Sequence, residues 1–141
     1  MDTSTENKCI FFQLAKLHQL ANRFLGQKVS VLGITPVQAM ILGFLGAEDG
    51  LTSADLGKRI ELDSATLTGL LDRLEGAEMI VRQANPDDRR SILIHLTEKG
   101  RTVATEAIRL IEEANREFLA DLNTEEEDGF RAVIRKLRTR P

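Results

Sequence analysis

A chain of 141 residues is the size of one ordinary domain, and 42% apolar with 29% charged residues is a globular balance that leaves neither disorder nor a collagen-like repeat. No apolar run approaches the roughly 18 residues of a membrane span, and the acidic, polar start MDTSTENK is unlike a secretory leader, so a cytoplasmic protein with no membrane partner is expected. The net charge of −3 excludes a bulk-basic nucleic-acid binder: residues 1–57 carry four basic and five acidic groups, 58–101 eight and eight, and 102–141 seven and nine, so any DNA contact must be local.

Residues 8–32 read as a long helix. Ile10, Leu14, Leu17, Ala21 and Phe24 follow helical spacing, Phe11 and Leu25 widen the stripe, and Gly33 ends it. Thr35-Pro36-Val37-Gln38 then supplies a Thr cap, a Pro suited to the first helical position and a Gln that can close a capping box. The helix it opens presents Val37, Met40, Ile41, Phe44 and Leu45 as its expected core face and breaks between Gly46 and Gly50.

Thr52 caps a short helix with Leu56 and Ile60 on its buried side, and a tight turn leads to a second cap at Asp63. Residues 64–76 bury Leu67, Leu70, Leu71 and Leu74 and leave Ala65, Gly69, Asp72, Arg73 and Gly76 outside, a small and polar face. Two short helices joined in this way form a helix-turn-helix. The runs MIVRQA and SILIHL flank the turn-forming NPDDRR and read as a β-hairpin with a charged tip.

A hairpin placed directly after a helix-turn-helix is a wing. Thr97 caps a second long helix with the stripe Val103, Ala107, Leu110, Ile111, Ala114 and Phe118; Thr124-Glu125-Glu126-Glu127 reads as a capping box before a last helix with Phe130, Val133, Ile134 and Leu137 on one side. The expected class is α+β, mostly α: a winged helix-turn-helix with long N- and C-terminal dimerisation helices. One domain spans 1–141, with 8–34 and 97–141 forming the dimer and 35–96 the DNA-binding lobe. A lobe of this size offers little surface for stripes 103–118 and 130–137, so a second copy of the chain is expected to cover them.

These residues resemble the MarR family of winged-helix regulators. LDSATLTGLLDRLEGAEMIVR (62–82) is similar to the family's recognition helix and first wing strand. NPDDRRSILIHLTEKG (85–100) carries its wing pattern at Asp88, Arg90, Leu96, Thr97 and Gly100. The resemblance implies a homodimeric regulator of double-stranded DNA, commonly a repressor, with a small-molecule effector. It implies that Arg90 enters a minor groove and that Asp88 orients the wing together with Arg82. A guanidinium, narrow and always charged, suits that groove, and Arg89 could hold a phosphate.

The DNA-binding set is therefore Ser64, Ala65, Thr66, Thr68, Gly69, Arg73, Arg89 and Arg90. Many relatives place Arg where this chain has Gly69, so readout here leans on close approach and on Ala65 or Thr66 touching a thymine methyl. Cys9 has two readings. It is a small apolar packing residue, or, by resemblance to the organic-hydroperoxide-sensing branch, a redox sensor whose thiolate is favoured at a helix start. His18 and His95 have no Cys, Asp or Glu at metal spacing, and neither G-x-S-x-G nor a P-loop occurs, so no metal, no cofactor and no enzymatic activity are expected. The alternative of another class is a winged-helix module that assembles with protein and not with DNA.

Overall fold

Most helices begin where the sequence offers a cap. In the computed structural model, which describes residues 3–140, Thr35 opens α3 (Pro36–Ala47), Thr52 opens α4 (Ser53–Ile60), Asp63 opens α5 (Ser64–Gly76) and Thr97 opens α6 (Glu98–Phe118), each side chain accepting a first-turn backbone N–H. Preceding them are α1 (Thr3–Lys8), α2 (Ile10–Val29) and a 3-10 turn, Ser30–Leu32; the last helix is α7 (Thr124–Arg138). Its cap is one residue earlier than expected. The Asn123 amide oxygen accepts from the Glu126 N–H at 2.9 Å while Glu126 Oε1 accepts from the Asn123 N–H at 3.1 Å, so Thr124 is the first helical residue and not the cap.

The expected helix 8–32 is also divided. Cys9 is extended, at φ −83° and ψ 103°, and serves as N-cap between α1 and α2 without a side-chain capping bond. At the other end the last turn tightens into the 3-10 turn and stops at Gly33, whose φ of 70° is left-handed and easily adopted only without a Cβ.

The wing consists of β2 (Ile80–Asn85) and β3 (Asp88–Leu96), antiparallel, with Ile80 opposite Leu96 and Asn85 opposite Asp88. A two-residue strand, β1 (Leu51–Thr52), adds to the other edge of β3 in the order β1-β3-β2. That strand is too short to show an alternating pattern in the sequence. The expected six-residue tip also shrinks to Pro86 and Asp87. Asn85 Oδ1 accepts from the Asp87 N–H at 3.0 Å and Asp88 Oδ1 from the Arg90 N–H at 2.9 Å, so the chain is already strand where Arg89 and Arg90 stand.

The core is one cluster joining the lobe to the long helices. Ile41, Leu42 and Leu45 of α3, Leu56 of α4, Leu67, Leu71 and Leu74 of α5, Ile80 and Ile94 of the wing and Ala104 and Ala107 of α6 are all buried in it. Met40, expected in this core, lies half-exposed on the flank of α3, and Ala39 and Leu42 are buried instead. The stripe 103–118 needs no second chain: it packs within the protomer on α3 and α2, where the Phe24 and Phe118 rings meet edge to face with centroids 5.4 Å apart. Lys28 of α2 bridges Glu113 and Glu117 of α6 at 2.8 and 2.7 Å, and the hydrogen bonds from these carboxylates hold its ammonium above the ordinary lysine range.

What stays bare is the first half of α2 and one side of α7. Ile10, Phe11, Leu14 and Leu20 on the former and Val133, Ile134 and Leu137 on the latter are exposed, Phe11 to 80%. Among the described residues no single helix is long and apolar enough to cross a membrane.

Asp49, in the loop after α3, pins the base of the wing. Its Oδ1 accepts from the Leu96 N–H at 2.9 Å, its Oδ2 from Arg101 at 3.1 Å, and His95 Nδ1 lies 3.8 Å away. Partial burial by itself would raise this carboxyl. The Leu96 N–H, the Arg101 guanidinium and the Gly50 N–H outweigh that and hold it below the ordinary aspartate range. Above the usual aspartate pKa of about 4 the ionised form therefore stabilises the fold, and that contribution is lost as pH falls through the lower folded value. Asp49→Asn should unfold at lower urea than the wild type at pH 7, with the gap closing as the pH is lowered below about 4. A gap independent of pH would remove the charge from the explanation.

Gly100, in the first turn of α6, allows that helix to lie on the Met79 carbonyl: a Cβ there would stand 1.8 Å from the Met79 oxygen. Gly100→Ala should cost about 2–3 kcal/mol in urea titration, since backbone must move. Gly129→Ala on α7, where nothing lies within 4 Å of the added Cβ, should be neutral or stabilising.

Candidate nucleic-acid interface

The first element is α5, clamped from behind. Leu67, Leu70, Leu71 and Leu74 are between 1% and 8% exposed, while Ser64, Ala65, Thr66, Thr68, Asp72 and Arg73 stand outward and Gly69 is half-buried among them. This is the division the leucine spacing predicts. The entry is fixed by Asp63, whose carboxylate accepts from the Thr66 N–H and hydroxyl, both at 2.8 Å; these bonds hold it below the ordinary aspartate range. Thr68 donates its hydroxyl to the Ser64 carbonyl at 2.8 Å. Both threonine protons are thus committed inside the helix, leaving hydroxyl lone pairs and methyl groups to face outward. A surface of this kind accepts hydrogen bonds and touches apolar groups, and its charges are Arg73 and Asp72, the latter paired with Arg82.

The second element is the wing, tied to the first by Arg82. Its guanidinium donates to Asp72 Oδ1 at 2.6 Å and to the Thr68 carbonyl at 3.4 Å, and its backbone N–H donates to Glu75 Oε2 at 3.2 Å. Arg82 is therefore an internal strut between β2 and α5. The expected pairing of Asp88 with Arg82 is not formed. Asp88 lies at the far end of the hairpin, opposite Asn85, and spends its carboxylate on the Arg90 N–H. It shapes the tip locally, and the acids that hold Arg82 are Asp72 and Glu75. The sequence reading missed both; the available signal was their i, i+3 placement on the outer side of a helix that precedes an arginine-bearing strand.

Arg89 and Arg90 are consecutive strand residues, so their side chains leave the hairpin on opposite faces and cannot reach the same spot. Arg90 points to the side of α4 and α5, where it borders a cleft with Lys58 and Ser64. Among the described residues, Arg73, Arg89 and Arg90 join no salt bridge, whereas Arg59, Arg82, Arg101, Arg109, Arg131 and Arg138 do. The structure thus brings α5 and the wing together into one exposed edge with unneutralised guanidinium groups.

Cys9 is far from this edge in the fold's order, at the α1–α2 break, and is partly exposed. Among the described residues no group of three His, Cys, Asp or Glu side chains comes together in a way that could hold a metal ion.

Comparison with known proteins places the chain among regulators. A family model described as MarR family matches residues 32–91, which run from the 3-10 turn to the wing strand bearing Arg90. YdgJ of Bacillus subtilis (strain 168), described as an uncharacterized HTH-type transcriptional regulator, is 30% identical over 135 residues, covering 95% of this chain and 80% of that protein. The PcaV transcriptional regulator from Streptomyces coelicolor, solved in complex with its natural ligand, superposes with a TM-score of 0.88 at 28% identity, covering 98% of this chain and 97% of that one. A MarR mutant from E. coli in complex with operator DNA superposes with a TM-score of 0.87 at 25% identity, covering 97% and 99%.

Gly69 stands in the middle of the outward face with nothing within 4 Å of an added Cβ and no positive φ to require glycine. Gly69→Ala should therefore stabilise the fold by about 0.5–1 kcal/mol, read from the urea midpoint. Destabilisation would show a contact at that position that the open face does not contain.

Proposed function

The chain belongs to the MarR family, and on that premise we propose that it is a sequence-specific DNA-binding transcription regulator, a homodimeric repressor of a pseudo-palindromic operator that a small aromatic ligand or an oxidant releases. The observation that carries this reading is the single edge formed by α5 and the wing. Its two parts are locked together by Arg82, it is small-featured along α5, and it holds Arg73, Arg89 and Arg90 without carboxylate partners.

Ser64, Ala65, Thr66, Thr68 and Gly69 enter a major groove, where the absence of bulk lets the helix lie close to base edges and the threonine methyls and Ala65 meet thymine methyls. Arg90 reaches the flanking minor groove and Arg89, leaving the opposite face of the hairpin, holds a phosphate. Asp88 keeps the tip in shape and Arg82 sets the distance between the two grooves' readers.

The bare faces of α2 and α7 supply the dimer. Exposing Phe11, Leu14, Val133 and Leu137 to water is costly, and a two-fold axis through these helices buries them and presents two recognition helices to two half-sites. The domain division follows: 35–96 reads DNA, and 8–34 with 97–141 holds the dimer, with α6 belonging by its packing to both.

For release, the apolar hollow of about 400 Å³ beside Met40, Phe44, Ile108 and Ile111 lies at the joint between α3 and α6 and suits a small aromatic ligand. An oxidant would act instead at Cys9, where the helix break and partial exposure leave the thiol reachable.

Selection of bound duplexes from a random pool tests the reading. A two-fold symmetric site should be enriched, and on it Arg90→Ala should lose about 1–3 kcal/mol of affinity while Gly69→Ala also weakens binding. No enrichment by a folded dimer would overturn the assignment in favour of a module that contacts only protein. Light scattering should give twice the chain mass at micromolar concentration; a stable monomer would remove the two-half-site arrangement. If Cys9 is the sensor, organic hydroperoxide should release the wild type from DNA and leave Cys9→Ser bound, and equal responses would assign release to the non-covalent ligand.

A further inference from the structure

A cleft of about 510 Å³ lies between α4, the start of α5 and the outer part of β3. Its walls carry the cations Lys58 and Arg90 and the hydroxyl residues Ser53, Ser64 and Ser91, over an apolar floor that includes Leu67. Among the described residues no carboxylate lines it. In a chain with 22 acidic residues against 19 basic ones, a wall holding two cations and no acid is a local reversal of the average.

Lys58 also differs from its neighbour. Arg59, one residue on, is turned away by helical geometry and pairs with Glu48, whereas Lys58 joins no salt bridge among the described residues. The start of α5 is already answered by the Asp63 carboxylate, so what this cleft offers an anion is chiefly its two side-chain cations.

Geometry states which anion belongs there. A major groove and the minor groove beside it are separated by one sugar-phosphate strand. A protein that puts α5 into the first and the tip of β3 into the second must straddle that strand, and the space between α5 and β3 is this cleft.

We infer that the cleft seats the backbone strand between the two grooves and that Lys58 is a positioning residue that holds a phosphodiester there. The inference rests on the DNA-binding reading above. In this arrangement Lys58 carries no sequence information; it fixes how deeply α5 and Arg90 enter their grooves. A single point charge on a flexible stem suits that task, since a phosphate in the cleft needs a counter-charge more than a planar fork.

The test uses the full-length protein, the duplex recovered by selection and an unrelated duplex of equal length, with affinities measured across a range of salt. Lys58→Gln should lower the slope of log K against log salt by about 1, weaken binding to both duplexes by the same factor and leave the selected sequence unchanged, with Lys58→Arg restoring the slope. Arg116→Gln, an exposed α6 cation outside the cleft, should leave the slope as it is in the wild type. If the wild type binds its duplex and Lys58→Gln keeps the full slope, or changes the selected sequence, the assignment of Lys58 is overturned while the regulator reading stands. If the folded wild-type dimer binds neither duplex, the regulator reading fails and this inference falls with it.

Discussion

The close crossing of α3 over α6 is the constraint from which the rest of the arrangement follows. Gly43 and Gly46 face Ile108 and Ala104: a Cβ at Gly46 would meet Ile108 at 3.3 Å, tighter than ordinary contact. The two glycines let the Ile108 side chain and the Ala104 methyl of α6 lie directly against α3, and such a close-packed interface has little freedom to slide. α3 begins the winged lobe and α6 leaves it for the bare apolar helices. Their crossing therefore sets where the edge formed by α5 and the wing stands relative to the bare faces of α2 and α7. Lys28, reaching from α2 to Glu113 and Glu117, fixes the third member of the same joint.

Charge follows an analogous local logic. An overall excess of acid argues against nucleic acid, yet most of that acid is spent inside the molecule. Asp49 holds the wing base, Asp63 caps α5, Asp72 and Glu75 hold Arg82, and Glu106 and Glu113 flank Arg109 along α6. The cations that join no salt bridge among the described residues include Lys58, Arg73, Arg89 and Arg90, and these four sit on α4, α5 and the wing. What a polyanion meets is the local placement of the charges left over, and net charge does not record it.

This difference also explains what could be read from the sequence. The leucine stripe of α5, the caps at Thr35, Thr52, Asp63 and Thr97, and the wing were legible because they are short-range patterns: a 3.6-residue period, a side chain three residues from its N–H, an alternating strand pair. What was misplaced depends on long-range contact. Stripe 103–118 is indistinguishable in sequence from a dimer face, and only the position of α3 shows that it is covered within the chain. Met40 fits the periodic pattern of α3 as well as Leu42 does, and only the tertiary fold shows that Leu42 is buried and Met40 is 43% exposed. The family resemblance joins Asp88 to Arg82, whereas the hairpin's length puts them at opposite ends and α5 supplies the acids. Lys58 carried no signal, because its neighbours in the cleft come from three separate elements.

The joint has a consequence for regulation. A ligand shifts a protein only by binding its two states unequally, and moving a population from mostly bound to mostly free takes about 5 kcal/mol of differential affinity. In the function proposed above, the hollow at Met40 is where the ligand supplies it, since its walls, Phe44 on α3 and Ile108 and Ile111 on α6, belong to the two helices whose contact joins the lobe to the bare faces of α2 and α7. Gly43 also lines this hollow, and it leaves α3 without a side chain where the ligand would wedge. The strut from Arg82 to Asp72 ties the wing to α5, so in the proposed release both would shift together. On the proposed reading the edge formed by α5 and the wing must keep its shape while its distance from that of a second copy changes, and the strut supplies the first of these.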